Sequence, residues 1–468
     1  MIRILFLIIL CLFLNSGISQ ALDVVHPGGV DSIINANSTF FAGNVNPKAT
    51  LKINNEGVKI WDDGIFVHIV PLFYGTNTIT LEETLNGKTQ KSIYTIKRNK
   101  PSAGKVINIP YEPKEKDTFL YTKTINNNST VREKPSGSSK RVIDLPKGVV
   151  LYLAGKKGDY YKIEAHADSE FWIHKSNIEP PVKVTKKFIA KISKPEHYSD
   201  KYYNYTKMAI TYPVLYTLTQ HGKKLKLTLY NTSDSNKKEK LHENVEFTFE
   251  DENQVLGYDV LYEEDKLILR RARIADKINP YTPLYGVRIF IDAGHGGNER
   301  GAVGPTRVYE KDINLAIAKK LVKLLKEEGA IVSYSRLDDK QVKLYDRVNM
   351  AKENNAFISL SLHANSLPHG RNPYITHGVE THYYNDNAKV LAFIIQKNLS
   401  EDTGLKNNGL RKSSFALNRS TNPISVLIET AYMINPDEYK KLRNEKFQEE
   451  IAQSVKKSLG QFMILLKR

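Results

Sequence analysis

Cysteine is almost missing from this chain. There is one, Cys11, and it lies inside an apolar run at residues 4–14. A lone cysteine excludes a disulfide framework and a thiolate metal site. Any transition-metal centre must therefore draw on His, Asp and Glu. Long apolar stretches are equally scarce. The run at 4–14 is well short of the roughly 20 residues that cross a bilayer, and no second candidate span follows. Internal repeats, collagen triplets and coiled-coil heptads are missing as well. So is acidic surplus: Lys plus Arg number 68 against 51 Asp plus Glu, a net charge of +17. That excess favours a polyanionic partner, such as nucleic acid, anionic lipid or an acidic cell-wall polymer.

The N-terminus narrows the choice. Met1-Ile-Arg3 is basic, residues 4–14 are apolar, and residues 15–21 are polar and small. This order predicts a secretory signal peptide over 1–21, cleaved near Gly17, Ser19 or Ala21. An uncleaved anchor is the alternative reading. Leu10 before Cys11 argues against lipid attachment there. The expected location is the periplasm, cell wall or exterior, with no stable membrane span in the mature chain. Export also argues against a nucleic-acid partner, and no base-reading motif is present.

With 468 residues the chain is too long for one ordinary core. Short alternating segments separated by turns such as Asn54-Asn-Glu-Gly57 predict a β-sandwich over 22–99, similar to bacterial Ig-like modules. Residues 100–117 read as a Pro- and Lys-rich linker. Residues 118–181 resemble a bacterial SH3-like barrel through Val131-Arg-Glu-Lys-Pro135, Leu145-Pro-Lys-Gly148, Asp159-Tyr-Tyr-Lys-Ile163 and Phe171-Trp-Ile173, in that order. Residues 182–284 are again strand-like and rich in tyrosine. They are predicted to form a β-rich domain in which aromatics fill a core more readily than they stack on sugar, and in position and strand content they resemble the targeting domain that precedes the catalytic domain of some cell-wall enzymes.

From residue 285 to 468 the pattern changes. Strand-like runs at 287–292, 331–335, 356–363, 378–384 and 424–429 alternate with helix-period segments at 312–328, 387–399 and 447–466. The fold class is therefore multidomain: three β-rich modules, then an α/β domain with a mostly parallel sheet flanked by helices.

In such sheets ligands gather beyond the carboxyl ends of the strands. His295 follows the first strand, His363 ends the third, Glu429 ends the last, and Glu310 opens a helix. The pattern alone therefore brings two imidazoles and two carboxylates to one edge. Two His and one carboxylate suit zinc with a position left for water, whose pKa falls to about 7 on the metal. Gly294, Gly296 and Gly297 allow a close backbone approach to it. By itself Glu310 is equally readable as a helix N-terminal acid stabilised by the dipole.

The motifs Ile291-Asp-Ala-Gly-His-Gly-Gly297, Tyr309-Glu-Lys-Asp-Ile-Asn-Leu315, Ser335-Arg-Leu-Asp338, Leu344-Tyr-Asp-Arg347, Ile358-Ser-Leu-Ser-Leu-His-Ala-Asn-Ser366, Gly378-Val-Glu-Thr381 and Val426-Leu-Ile-Glu-Thr430 resemble the zinc-dependent N-acetylmuramoyl-L-alanine amidases. The resemblance covers residues 286–468. It implies that His295, Glu310 and His363 bind Zn2+ and that Glu429 is the catalytic acid/base. It further implies that the substrate is peptidoglycan, cut between N-acetylmuramic acid and L-alanine.

Asp292 is a candidate for orienting His295, and Asn365 for supporting His363 or binding peptide. Arg347 is readable as a partner of a nearby acid such as Asp346 or of a stem-peptide carboxylate. His369 and His377 are readable as rim residues, His382 as packed or surface, and Arg411-Lys412 as a solvated loop. No long helical insertion separates His363 from Glu429, so an open site is expected. The alternatives are a zinc peptidase acting within the stem peptide and a non-catalytic wall-binding protein.

Overall fold

The computed structural model describes residues 22–100, 119–165, 170–235, 244–250, 256–274 and 278–466. The predicted signal segment with Cys11, and residues 101–117 of the predicted linker, lie outside the described residues.

Residues 23–98 form two sheets, one of three strands and one of five. In Thr50–Ile53 exposed and buried residues alternate, as the two-residue strand period requires. Leu51 and Ile53 meet Phe41, Phe66, Ile79, Leu81 and Ile96 between the sheets. Next comes a seven-stranded antiparallel sheet. Its last strand, Val182–Val184, pairs with Phe119–Lys123, so this module runs three residues past the boundary read at 181. Three small sheets then occupy residues 190–272. Val131, Leu151 and Ile173 share one apolar cluster with Leu227, Leu267 and Leu269, so the second and third modules are packed together.

The α/β domain is a six-stranded sheet. Its order is Ile331–Tyr334, Arg288–Ala293, Ile358–Asn365, Ile424–Tyr432, Val379–Tyr383, Asn407–Lys412. All neighbours run parallel except Val379–Tyr383 against Ile424–Tyr432. The sheet is thus mixed, with one antiparallel junction. Ile289 and Ile291 face the layer of helices Glu310–Glu327, Asp386–Thr403 and Glu445–Leu466. Phe290, on the opposite face of the same strand, packs on Ala351 of helix Leu344–Glu353.

Three elements of this domain are absent from the sequence reading, among them the short helix Pro436–Leu442. Helix Leu344–Glu353 buries only Arg347 and Ala351, so it shows no apolar stripe. Strand Asn407–Lys412 lies at the sheet edge with no fully buried residue, so its composition resembles a loop. Arg411 and Lys412, read as a solvated loop, end that strand and remain exposed.

The N-terminal sandwich docks onto the carboxyl-end loops of the α/β sheet. Phe40, Ala42 and Val67 form a small buried cluster with Ile434, and Ile65 joins the α/β core.

Candidate metal centre

Strand Arg288–Ala293 is buried from Ile289 to its end, and His295 follows two residues later with φ of 59°. A non-glycine residue seldom adopts such a conformation, and it is retained where surrounding bonds enforce it. Two buried guanidiniums supply those bonds. Arg336 donates to the carbonyls of Ala293, at 2.9 Å, and Gly294, at 2.9 Å. Arg347 donates to the carbonyls of Ala293 and His295, each at 2.7 Å. Asp292 does not reach the His295 ring. It accepts from Arg347 at 2.7 Å and from Ser361 at 2.7 Å, and acts on His295 through Arg347. Burial opposes its ionisation, but the Arg347 charge and the serine hydroxyls hold its carboxyl below the ordinary value.

Glu310 is the first residue of its helix and is 5 % exposed. Its Oε1 lies 2.9 Å from His363 Nδ1 and its Oε2 lies 3.2 Å from His295 Nε2. One ligand atom from each of the three residues falls within 4.8 Å of the others. The carboxylate also accepts from the Ala302 amide at 2.8 Å, the Ala364 amide at 3.2 Å and Asn314 Nδ2 at 3.2 Å. Burial pushes the Glu310 carboxyl up. The hydrogen bonds from His295 and His363, with their charges, more than offset this and carry it well below the carboxylate range. For His363 burial favours the neutral ring, whereas Glu310, Glu429 and Asp292 together raise it.

These residues fit a zinc ion. Tetrahedral bonds of about 2.0–2.2 Å place ligand atoms about 3.3–3.6 Å apart, within the 4.8 Å span of one ligand atom from each residue. Two imidazoles and one carboxylate are a donor set zinc accepts. His363 Nε2 is buried without a partner.

Glu429 faces the same edge. It lies beside His363 on one neighbouring strand and beside Glu380 on the other. The strand continues to Tyr432, so Glu429 is held mid-strand rather than at an end. Its Oε2 is buried with no hydrogen-bond partner. Burial pushes its carboxyl up to about 7, with the nearby Glu310 and Glu380 adding to the shift and His363 opposing it.

The sequence assigned Glu380 no role, although it lies within a quoted motif. It is the centre of a polar network. It accepts from Tyr432 at 2.9 Å and from Asn408, and it lies 3.3 Å from His382 Nε2. Asn365 Nδ2 reaches Glu380 at 3.5 Å, so its side chain supports this network rather than His363. His382 is buried and also meets Ser413. His377 bonds Glu438 at 2.8 Å. His369 bonds Thr39 of the sandwich at 2.9 Å and packs on Phe40. Arg347, readable as a peptide contact, is instead a buried structural partner.

Gly294 and Gly301 make the close approach possible. A Cβ on Gly294 would stand 2.4 Å from the His363 ring, and one on Gly301 2.4 Å from Glu310 Oε2. Gly296 and Gly297 pack against Lys340 and Gln341 instead. Gly294→Ala is expected to cost about 1–3 kcal/mol through overpacking and to weaken zinc binding. Unchanged melting and unchanged zinc titration would refute this placement.

A family model described as N-acetylmuramoyl-L-alanine amidase matches residues 289–461. Uncharacterized protein YqiI of Bacillus subtilis is 36% identical over 177 residues, which are 37% of this chain and 83% of YqiI. The chain belongs to the N-acetylmuramoyl-L-alanine amidase family. N-acetylmuramoyl-L-alanine amidase LytC of B. subtilis is also 36% identical over 177 residues, but the match spans only 35% of LytC. Among solved structures, amidase AmiC2 of Nostoc punctiforme is 32% identical, with 38% of this chain and 97% of that chain covered and a TM-score of 0.36. Each of these matches spans 37–38% of this chain.

Proposed function

We propose that this protein is a peptidoglycan hydrolase that cleaves the amide between N-acetylmuramic acid and L-alanine of the stem peptide. The reading rests on one observation: ligand atoms of His295, Glu310 and His363 converge within 4.8 Å of one another, with Glu429, whose Oε2 is buried without a hydrogen-bond partner, one strand away. In this proposal the two imidazoles and Glu310 hold Zn2+. A zinc ion supplies Lewis-acid polarisation and lowers the pKa of water to about 7. Glu429, poised near neutrality by burial, takes a proton from the attacking water and delivers it to the departing alanine nitrogen. Glu310, held charged by His295 and His363, is oriented by the Ala302 and Ala364 amides and Asn314. Arg336 and Arg347 fix the His295 backbone. The His295 side chain remains 31% exposed and that of His363 14%, which supports access for a polymer.

In the same proposal the enzyme acts at the wall, with its three β-rich modules attached to the amidase domain. The charge of +17 draws it to anionic wall polymers, after export by the segment at 1–21. Among the described residues no helix is long and apolar enough to cross a membrane.

The test pairs metal analysis of the full chain with muropeptide mass spectrometry. About one zinc per chain is expected, with release of intact stem peptides from the glycan and loss of that release on chelation. Cleavage between stem-peptide residues would favour a zinc peptidase. A chain that holds no metal and releases nothing would favour a wall-binding protein.

A further inference from the structure

The segment between His295 and Glu310 is a small hairpin. Val303 bridges to Tyr309. The Glu310 amide donates to the Ala302 carbonyl at 2.8 Å, and the Ala302 amide donates to Glu310 Oε2 at 2.8 Å. The position of the Glu310 carboxylate is therefore tied to the hairpin in two directions. Its tip, residues 303–307, has little apolar content of its own and includes Arg307 at φ of 62°.

Three side chains of the N-terminal sandwich grip that tip. His26 Nε2 lies 2.8 Å from the Val303 carbonyl, one residue from Ala302. Asn44 Nδ2 donates to the Pro305 carbonyl at 3.1 Å. Asp23 accepts a bidentate pair from Arg307 at 2.7 and 2.8 Å. The same module grips the segments that follow the other two site strands. Thr39 and Phe40 hold His369, the Tyr374 hydroxyl donates to the Val67 carbonyl at 2.6 Å, Trp61 donates to Asp437 at 2.9 Å, and Asp63 pairs with Arg443.

We propose that the sandwich is a positioning element of the metal centre: Asp23, His26 and Asn44 fix the 303–307 tip and thereby the orientation of Glu310 toward His295 and His363. This inference rests on the reading of Glu310 as a metal ligand. The Arg307–Asp23 pair is half exposed and contributes little stability by itself. Its effect is directional, because a bidentate fork fixes the geometry of the turn it holds. Partners that orient metal ligands are typically worth 10- to 100-fold in metal affinity. The sandwich grips one step further out, so the lower end applies.

The experiment uses the full chain and reads zinc affinity by competition with a chromophoric chelator, beside peptidoglycan turnover and melting temperature. Asp23→Arg and Arg307→Asp are each expected to weaken zinc binding about tenfold, and the double swap to return it to within about threefold of wild type. His26→Ala removes one bond and no charge, and covers the case in which a charge reversal does not fold; it is expected to weaken zinc about threefold. Glu310→Ala is the control. If Glu310→Ala binds zinc as wild type does, the ligand reading itself fails. If Glu310→Ala loses zinc while Asp23→Arg and His26→Ala bind it as tightly as wild type, whatever their melting temperatures, the positioning inference alone is overturned.

Discussion

Replacing Glu429 by glutamine is expected to leave zinc in place and to lower turnover on peptidoglycan by about 10²–10⁴-fold, the usual contribution of a positioned acid/base. The amide is nearly isosteric and neutral. The wild-type carboxyl is one whose charged form burial disfavours, as its rise to about 7 indicates. The variant is therefore expected to melt at or above the wild-type temperature, which separates lost chemistry from lost fold. Glu429 Oε2 has no hydrogen-bond partner to lose. Because Glu429 acts at the proton rather than in binding, the fall should appear in kcat with KM little changed. Turnover within a few-fold of wild type, in a variant that still holds one zinc, would remove Glu429 from the acid/base role.

The second large effect lies outside the ligand set. Arg347→Ala is expected to destabilise the amidase domain by about 3–5 kcal/mol, the usual cost of removing one member of a buried ion pair. Arg347 is 3% exposed. Truncation strands the buried Asp292 carboxylate and frees the carbonyls of Ala293 and His295. For a domain of this size the cost corresponds to a fall of roughly 6–20 °C in its melting transition. Zinc binding should weaken in parallel, because His295 loses the bond that holds its left-handed backbone. A double variant, Asp292→Asn with Arg347→Met, should lose less stability than Arg347→Ala, since no unpaired buried charge remains. Melting of Arg347→Ala within 2 °C of wild type would refute this account.

Much of the site was legible in the chain for a definite reason. Alternating strands and helices place the carboxyl ends of the parallel strands on one edge, and His295, His363 and Glu429 all belong to the four strands that run parallel to one another, so periodicity alone brings them together. Glu310 was ambiguous, because an acid at a helix start is common for dipole reasons. The resemblance, not the spacing, favoured a ligand, and the 2.9 and 3.2 Å approaches to the imidazoles supply what the spacing lacked. Arg336, Arg347 and Glu380 stand within family motifs, yet the partners that tie them to the site, Ala293, Asp292 and Asn365, are 43, 55 and 15 residues away. No local pattern encodes such partners.

The sequence by itself determined the absence of thiolate ligands, the run of β-rich modules ahead of an α/β domain, and the residues that converge at its edge. These follow from composition and from periods of two and 3.6 residues, which are local properties. Tertiary structure alone decided that Asp292 acts through Arg347, that Glu380 flanks Glu429, and that a sandwich nearly three hundred residues upstream grips the hairpin carrying Glu310. Each of those depends on which surfaces meet after the chain has closed. The energetics of meeting, a buried guanidinium on a carboxylate or a small apolar cluster across a domain seam, leave no periodic trace in the order of residues.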